Sequence, residues 1–241
     1  MTITYAGQGT TLSRSAHGGS GTVNSPAYPS IAAGDVEFLV VVGRAYLNVA
    51  GTPTITVPGD WTEVHPPQMV LGGSVLGVDF NQYVGVWWRL STGSTATVPI
   101  TWTTHFSVTV GGSQGDFIVS RSAFRGIVAP AGNIDHSTAS GTGVSFTSPP
   151  VTAPNGDWVT LTWVSTAASS DTPSNSHGFT TLPISSGSSL GGAWGYKVGA
   201  TPGAVTMPVW AIGSLSIARV AISTVFATTP PVGGWHLGLV W

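Results

Sequence analysis

Glycine and proline interrupt this chain so often that no long helix fits between them. The 241 residues include 33 glycines and 17 prolines, and both residue types weaken or break helices. Between the breaks, Val, Ile, Thr and Trp alternate with small or polar residues, which is the pattern of β-strands. The clearest runs are Gly34–Ala45, Tyr83–Ser91, Thr97–Trp102, Gly115–Ile127, Gly156–Ser165, Gly191–Gly199 and Ser214–Phe226. The sequence therefore predicts an all-β fold, an antiparallel β-sandwich of jelly-roll type.

Motifs of the first half return in the same order in the second half. The run "VPGDWTEV" (Val57–Val64) is echoed by "SHGFTTL" (Ser176–Leu182), and "VPITW" is echoed by "MPVW" (Met207–Trp210). Between these echoes, "GVWWRL" is matched by "AWGYKV". Echoes that keep their order along the chain indicate a duplicated unit.

The duplication divides the chain into predicted segments. They are an N-terminal arm (1–19), a first β repeat (20–128), a connection (129–140), a second β repeat (141–227) and an apolar C-terminal tail (228–241). We expect the two degenerate repeats to share one sandwich core, because each offers only a few strands and the connection is short. Two independent sandwiches are the alternative.

Charged residues are scarce in this sequence. They make up 7% of the chain and the formal net charge is -2, which argues against nucleic acid or an anionic membrane surface as a partner. Low charge limits the solubility of a free protein, so such a surface suits a subunit held in an assembly. The chain has no cysteine, which excludes disulfides and thiolate metal sites.

Targeting patterns are equally sparse. No apolar run approaches the roughly 18 residues that a membrane span requires. The first residues lack the basic and then apolar pattern of a secretory signal. We therefore expect no membrane insertion, and synthesis in a cytoplasm.

The sequence offers little for catalysis. Two stretches match the nucleophile pattern GxSxG, Gly111–Gly115 and Gly187–Gly191, but neither follows the strand–turn–helix order that exposes such a serine. The carboxylates Asp60, Glu63 and Asp79 lie in one region, as a glycosidase pair would, yet acids at strand ends commonly serve turns. The six histidines show no pair at metal-ligand spacing. We expect no enzyme activity, no catalytic residue, no cofactor and no metal.

Charged residues at strand ends are predicted to have structural roles. Asp35 and Asp157 each follow a glycine at a strand start, where a carboxylate accepts backbone N–H bonds in the turn. A cation on an apolar strand typically pairs with a carboxylate or covers a sheet edge. The cations in that position are Arg89, Arg125, Lys197 and Arg219.

Ten tryptophans give the strands unusual bulk. In the pair Trp87–Trp88, alternation directs one ring into the core and the other outward. An outward ring suits a sugar or the pocket of a neighbouring subunit. We expect Trp61 and Trp102 to lie in the core.

Four short motifs carry a resemblance to a known family. They are "AGD" at Ala33–Asp35, the "PxGW"-like turn at Pro58–Trp61, the strand end at Trp87–Arg89 and "AFRG" at Ala123–Gly126. In this combination the chain resembles a family of β-sandwich proteins of bacteriophage tails and other virion parts. The resemblance covers residues 20–128 and, in degenerate form, 141–227. It departs at Asp60, which is inserted between the glycine and the tryptophan of the turn.

The resemblance implies a virion structural protein, in particular a minor tail or tail-tip subunit. Such a subunit would form a homo-oligomer, bind other virion proteins and contact a glycan on the host surface. A head decoration subunit is one alternative. A carbohydrate-binding module or a glycan-acting enzyme is another, which a glycan array and a hydrolase assay would distinguish.

The chain finishes on "PPVGGWHLGLVW" (Pro230–Trp241), which has no Asp, Glu, Lys or Arg. Proline cannot donate to a strand ladder, and the two glycines that follow leave the chain free to turn away. In an extended segment every second residue shares one face. The residues on that face, Trp235, Leu237, Leu239 and Trp241, are predicted to anchor the tail on a neighbouring subunit. Folding back over its own sandwich is the alternative.

Overall fold

Every regular element that the structure describes is a β-strand, and the strand pairs are antiparallel. The structure is a computed structural model that describes residues 2–9, 12–16, 21–25, 27, 30–46, 54–75, 78–103, 115–130, 135–140, 145–166, 173–184, 191–210 and 218–228. The predicted all-β antiparallel fold is confirmed.

The strands follow one another along the chain in two comparable series. The first series is β1 (Thr4–Gln8), β2 (Leu12–Ala16), β3 (Gly21–Asn24), β4 (Ala33–Tyr46), β5 (Thr54–Thr56), β6 (Thr62–Val75), β7 (Val78–Thr92), β8 (Pro99–Thr103) and β9 (Gly115–Arg125). The second series is β10 (Ala129–Pro130), β11 (Asp135–Ser140), β12 (Phe146–Thr147), β13 (Val151–Ala153), β14 (Trp158–Thr166), β15 (Pro173–Asn175), β16 (Thr180–Pro183), β17 (Gly191–Gly199), β18 (Gly203–Val205), β19 (Val209–Trp210) and β20 (Ala218–Ala227).

Two six-stranded sheets are the main layers. The first has the order β1-β9-β4-β7-β6, and β2 also pairs with β9. The second has the order β10-β20-β14-β17-β16, and β11 also pairs with β20. The smaller sheets β3-β8-β5 and β12-β19-β15 match in the same way, whereas β13-β18 has no match among the described strands. A duplicated unit would produce this correspondence, although the duplication and the jelly-roll connectivity themselves stay predictions.

The two large sheets pack face to face. The ring of Phe38 on β4 lies 5.3 Å from that of Trp163 on β14 and 5.0 Å from that of Phe226 on β20. The buried hydroxyl of Ser165 donates to Oε1 of Gln82 across the same contact, at 3.1 Å. The largest apolar cluster therefore contains residues of both halves. Burial of each large side chain in it stabilises the fold by roughly 1.5–3 kcal/mol.

Matched aromatic contacts flank this central cluster. Trp88 on β7 meets Phe226 edge to face at 5.6 Å, and Tyr196 on β17 meets Phe124 edge to face at 5.1 Å. The prediction that one ring of the Trp87–Trp88 pair points outward is wrong. Alternation does separate the two rings, but both faces of the sheet are covered, so Trp87 is buried on one face and Trp88 is half-buried on the other.

The smaller sheets cover the outer faces of the large ones. In the first half, Val23, Leu39, Trp87 and Ile100 belong to one buried cluster. In the second half, two buried clusters lie at the corresponding face. One contains Phe146, Val164 and Trp210. The other contains Val151, Trp158 and Phe179. The central strand β4, which is covered on both faces, is thus apolar at nearly every position of the run "VEFLVVV". Of the two tryptophans expected in the core, Trp61 is buried within the first-half cluster, and Trp102 is half-buried and packs against that cluster.

Two segments predicted to lie outside the sheets contribute edge strands. The predicted arm, 1–19, contains β1 and β2, and the predicted connection, 129–140, contains β10 and β11. Tyr5 of β1 stacks on Tyr196 at 5.4 Å and lies 5.5 Å from Phe124, and burial together with the nearby Tyr196 raises the pKa of its hydroxyl to about 12. Runs such as "TYAGQ" and "DHSTAS" lack apolar alternation, so no local pattern marks them as strands.

Replacing Phe38 with alanine tests the central cluster. We expect Phe38→Ala to lower the free energy of unfolding by about 3–5 kcal/mol, since a large core side chain is lost. Urea denaturation should show one cooperative transition for the whole chain, because both halves contribute to the cluster. Leu90→Ala, at a 54% exposed position, is the control and should change stability by less than about 0.5 kcal/mol. Two separate transitions, of which only one shifts, would contradict a shared core.

Candidate functional site

A cleft of about 310 Å³ lies beside the start of β14 and the end of β17. It is lined by residue 158 and by residues 197–202 and 204–206. Its walls are therefore the first residue of β14, the last residues of β17, the loop that follows β17, and β18 with the residue after it. The volume is at the lower end of the range for small-molecule pockets.

The wall formed by Trp158 is fixed in place. Trp158 pairs in register with Gly199 on β17, and a Cβ at Gly199 would lie only 2.3 Å from a carbon of the indole ring. Only glycine therefore lets the ring lie flat across the neighbouring strand. The indole N–H donates to the carbonyl oxygen of Thr201 at 3.0 Å, which sets the orientation of the ring.

The described lining of the cleft mixes small apolar residues with polar ones, and its exposed surface is somewhat more polar than apolar. It includes Val198, which is 45% exposed, together with Ala200 and Pro202. Lys197 is the one charged residue of this lining, and its ammonium group donates to the carbonyl oxygen of His177 at 2.9 Å. No carboxylate, imidazole or serine lines the cleft within the described residues. The described lining therefore has no side chain placed for proton transfer near neutral pH.

The last described strand ends next to this cleft. Ala227 of β20 pairs in register with Trp158, and the backbone N–H of Thr228 donates to the carbonyl oxygen of Asp157 at 3.1 Å. The predicted anchor residues lie beyond this point and outside the described residues; they are Trp235, Leu237, Leu239 and Trp241. Their role stays a prediction.

A chain of alternating charges lies on the outer face of the first large sheet. Glu37 on β4 is fully buried and accepts hydrogen bonds from Arg121 at 2.6 Å and from Arg89 at 3.2 Å. Arg89 also contacts the half-exposed Asp60 at 2.5 Å. The ring of Trp61 covers the Arg89 guanidinium, whose central carbon lies 4.4 Å from the ring centre. Because each charge has an opposite partner, this cluster holds the structure together instead of offering a free acid or base.

A second ion pair lies at the start of β4. Asp35 accepts the backbone N–H of Ala32 at 2.9 Å and binds Arg125 through both carboxylate oxygens, at 2.8 and 2.9 Å. Burial alone would raise the pKa of Asp35, but the Arg125 guanidinium and the Ala32 N–H hold it below its usual value. The structural roles predicted for Asp35, Arg89 and Arg125 are confirmed.

The second half has hydroxyl groups where the first half has this buried charge. Thr162 donates to Ser148 at 2.8 Å, Ser223 donates to Thr162 at 3.0 Å, and the indole N–H of Trp210 donates to Ser148 at 2.8 Å. Ser223 on β20 is the register partner of Thr162 on β14, just as Arg121 on β9 is the register partner of Leu39 on β4. The other predicted structural residues of this half differ: Lys197 bonds to a backbone carbonyl, and the structure does not describe the side chain of Arg219.

The carboxylates that the sequence suggested for catalysis do not lie together in one site. Asp60 contacts Arg89 near the end of β7, whereas Asp79 lies at the start of that strand, about 30 Å away at roughly 3.3 Å per residue. Glu63 is exposed on β6. The serines of the two GxSxG stretches, Ser113 and Ser189, lie outside the described residues. Among the residues that are described, no group of three or more His, Asp or Glu side chains is placed to hold a metal ion.

Two features escaped the sequence reasoning. Glu37 and Arg121 were not singled out, although a lone acid inside the apolar run "DVEFLVVV" signals a buried charge that needs a partner. The contact of Trp158 with Gly199 has no such signal, because it depends on the register between two strands 41 residues apart along the chain. The cleft was therefore beyond prediction.

No family model, curated protein or solved structure matches this chain. The resemblance to virion proteins thus rests on the sequence motifs alone. In the described part of the chain, no helix is long and apolar enough to cross a membrane.

Removing the central charge of the first ion cluster should destabilise the fold. Glu37→Gln leaves Arg121 buried without its acidic partner, so we expect the free energy of unfolding to fall by about 3–5 kcal/mol. Glu63→Gln, at an exposed position, is the matched control and should have little effect. Urea denaturation at neutral pH measures both. Equal stability of the two variants would show that the buried cluster contributes nothing.

The Asp35–Arg125 pair should make stability depend on pH in the acidic range. The folded-state pKa of Asp35 lies below its usual value, so the stabilisation is complete above the unfolded-state pKa and is lost as pH falls through the folded-state pKa. The difference in melting temperature between the wild type and Asp35→Asn should therefore be constant above about pH 5 and shrink below it. Asp157→Asn, at the exposed equivalent position, is the control. A difference that stays constant down to about pH 2 would contradict the assignment.

Proposed function

We propose that this protein is a structural subunit of a bacteriophage virion, located in the tail or tail tip. The single observation that carries the proposal is how the charged side chains are used. In the first half, two of the ion pairs, Arg89–Asp60 and Arg125–Asp35, join residues of the motifs on which the resemblance rests, namely Ala33–Asp35, Pro58–Trp61, Trp87–Arg89 and Ala123–Gly126. These motifs hold one end of a sandwich together, as expected for a scaffold protein.

The distribution of apolar surface supports a role in assembly. Three large aliphatic residues of the described part are exposed, Leu90, Val128 and Val198. Leu90 and Val198 follow Arg89 and Lys197 on the matching strands β7 and β17, so both halves present an aliphatic side chain at the same place. Few charges surround them, since only 7% of the chain is charged. Such a surface is suited to neighbours in a homo-oligomer and to other virion proteins.

The apolar tail belongs to the same proposal. Its four aligned side chains, Trp235, Leu237, Leu239 and Trp241, would anchor the subunit on a neighbour, either as an added strand or in a groove. Exposed in water, such a strip promotes aggregation. Incorporation in the particle would remove it from water.

Recognition of a host glycan has less support from the described residues. Sugar rings stack on exposed aromatic rings, but the described aromatic side chains are buried or half-buried. Host-surface adhesion is therefore the weaker part of the proposal, and a glycan-acting enzyme the weaker alternative. A tail subunit and a head decoration subunit differ in their position in the particle, so the experiment locates the protein.

Immunogold labelling of intact virions tests the proposed function. Gold particles should decorate the tail or tail tip of the phage that encodes the protein, since the subunit is part of the particle. A phage complemented with a chain that lacks Gly233–Trp241 should lose the label, while the purified truncated protein keeps its melting temperature. Label on the head would favour decoration instead. Virions without label would contradict the proposal, as would turnover of a polysaccharide that is lost on substitution of Asp60 or Glu63.

A further inference from the structure

We propose that Asn155, in the turn between β13 and β14, is a site of spontaneous deamidation in the folded protein. The substrate is the Asn155–Gly156 dipeptide of the chain itself, and the co-reactant is water. The products are an aspartyl or isoaspartyl residue and ammonia. The site does not depend on a role in a virion. It follows from the residue pair, from the conformation of the turn and from the contrast with other asparagines of the chain.

Asn155 is the only one of the six asparagines that precedes a glycine. Deamidation requires the backbone nitrogen of the next residue to attack the carbonyl carbon of the asparagine side chain, and a side chain on that next residue hinders the approach. Glycine has no Cβ and reaches the widest range of backbone angles, so it permits the attack. Asn155 and Gly156 are both exposed, so water and base reach the two reacting groups.

The turn around Gly156 leaves room for the reaction. Gly156 has a φ angle of +87°, and a Cβ built on it would have no heavy atom within 4 Å apart from those of the adjacent residues. Among the described residues, no hydrogen bond holds the N–H of Gly156 or the side chain of Asn155. The two groups can therefore approach each other without breaking a contact in the described part of the fold.

The corresponding turn of the first half shows how such a turn is closed. Gly34 has nearly the same φ angle, +86°. There the backbone N–H of Ala32, two residues before the glycine, donates to the Asp35 carboxylate at 2.9 Å, and the Asp35 N–H donates to the Ala32 carbonyl at 3.2 Å. Pro154 stands two residues before Gly156 and has no N–H to donate. The turn before β14 therefore lacks the first of these two bonds.

Two other asparagines are held by the fold. Asn24 ends β3, and the nitrogen that would have to attack its side chain belongs to Ser25, whose N–H donates to the Val98 carbonyl at 2.7 Å. The side-chain oxygen of Asn175 accepts the backbone N–H of His177 at 3.1 Å. Each of these asparagines must break a hydrogen bond before it can react, so the folded protein should protect both of them.

The reaction balances with water as its only co-reactant. The Gly156 nitrogen loses its proton to base and forms a bond to Cγ of Asn155, while the side-chain nitrogen takes up a proton and leaves as ammonia. Water then adds to one of the two carbonyl carbons of the resulting five-membered succinimide and breaks the bond of that carbon to the ring nitrogen. Opening at Cγ leaves an aspartate in a normal main chain, whereas opening at the backbone carbonyl carbon leaves an isoaspartate.

The isoaspartyl product changes the main chain as well as the charge. It places the former Cβ of Asn155 in the main chain, so the turn becomes longer by one carbon atom, and either product adds one carboxylate. The turn adjoins the end of β20, because the Asp157 carbonyl accepts the N–H of Thr228 at 3.1 Å. Deamidation therefore alters the surface at the start of β14 without the action of an enzyme.

Incubation of the full chain in water enriched in oxygen-18, at neutral pH and body temperature, tests the proposal. The chain is then digested in ordinary water, so that deamidation during digestion adds no label, and its peptides are weighed by mass spectrometry. We expect the peptide that contains Asn155 to lose its amide, to gain one labelled oxygen and to divide into two chromatographic peaks. One of these peaks should coelute with the same peptide from the variant Asn155→Asp.

The same incubation in guanidinium chloride, which unfolds the chain, gives the rates without the fold. At Asn155 the folded and unfolded rates should agree within about threefold, because the turn is open. At Asn24 and Asn175 the folded protein should react at least tenfold more slowly than the unfolded chain. This difference separates an effect of the structure from the reactivity of the dipeptide.

The variant Asn155→Gln is the matched control. It keeps an amide at an exposed position and should keep the melting temperature of the natural chain, but its attack would need a larger ring. We expect at least tenfold less label in this peptide. In the natural chain the rate should be higher at mildly alkaline than at mildly acidic pH, because the attacking nitrogen must lose its proton.

Two outcomes would overturn the inference. An Asn155 peptide that stays unlabelled in the folded protein, while the unfolded chain is converted, would show that the turn protects the dipeptide. Equal labelling of the natural chain and of Asn155→Gln would show that another residue of the peptide reacts. Either result leaves the immunogold labelling of virions unaffected, and virions without gold would remove the proposed function while Asn155 still reacted.

Discussion

Face-to-face packing of the two large sheets is the contact on which the rest of the structure depends. It buries Phe38, Trp163 and Phe226 between the halves, while smaller sheets cover the opposite faces. A strand such as β4 must therefore be apolar on both sides, and any charge it carries must be paired. The Glu37 cluster is a direct consequence, because a lone carboxylate at that depth would cost several kcal/mol.

The two halves meet the same structural demands with different chemistry. Each has a tight turn before its edge strand, closed by a bond from Trp61 N–H to Pro58 in one half and from Phe179 N–H to Ser176 in the other. In the first half Arg89 reaches the Asp60 side chain of that turn, which accounts for the inserted aspartate. In the second half the turn has positive φ angles and Lys197 reaches its backbone. Buried hydroxyl groups likewise replace the buried ions.

Much of the fold was predictable because alternation and turn residues are local signals. The runs Gly34–Ala45 and Gly156–Ser165 correspond closely to β4 and β14, and Asp35 accepts a backbone N–H as predicted. What failed depends on packing between distant segments. Alternation places Trp88 opposite Trp87 but does not reveal that a second sheet covers it, and β1 has too few apolar residues to mark it as a strand. The cleft at Trp158 arises from register and was invisible for the same reason.

The short link between β9 and β10 has an effect on what substitutions can do. The backbone N–H of Val128 donates to the Ala227 carbonyl only three residues after β9 ends. The two halves are therefore joined by a short stretch of the same chain and form one covalent unit. In a symmetric pair of separate chains, every change would appear twice, and a buried acid would bring two costly clusters. Here Glu37 occurs once, and the matching position of the other half is Thr160. Covalent linkage thus allows the two halves to differ, so that one contains a buried ion cluster while the other has buried hydroxyl groups instead.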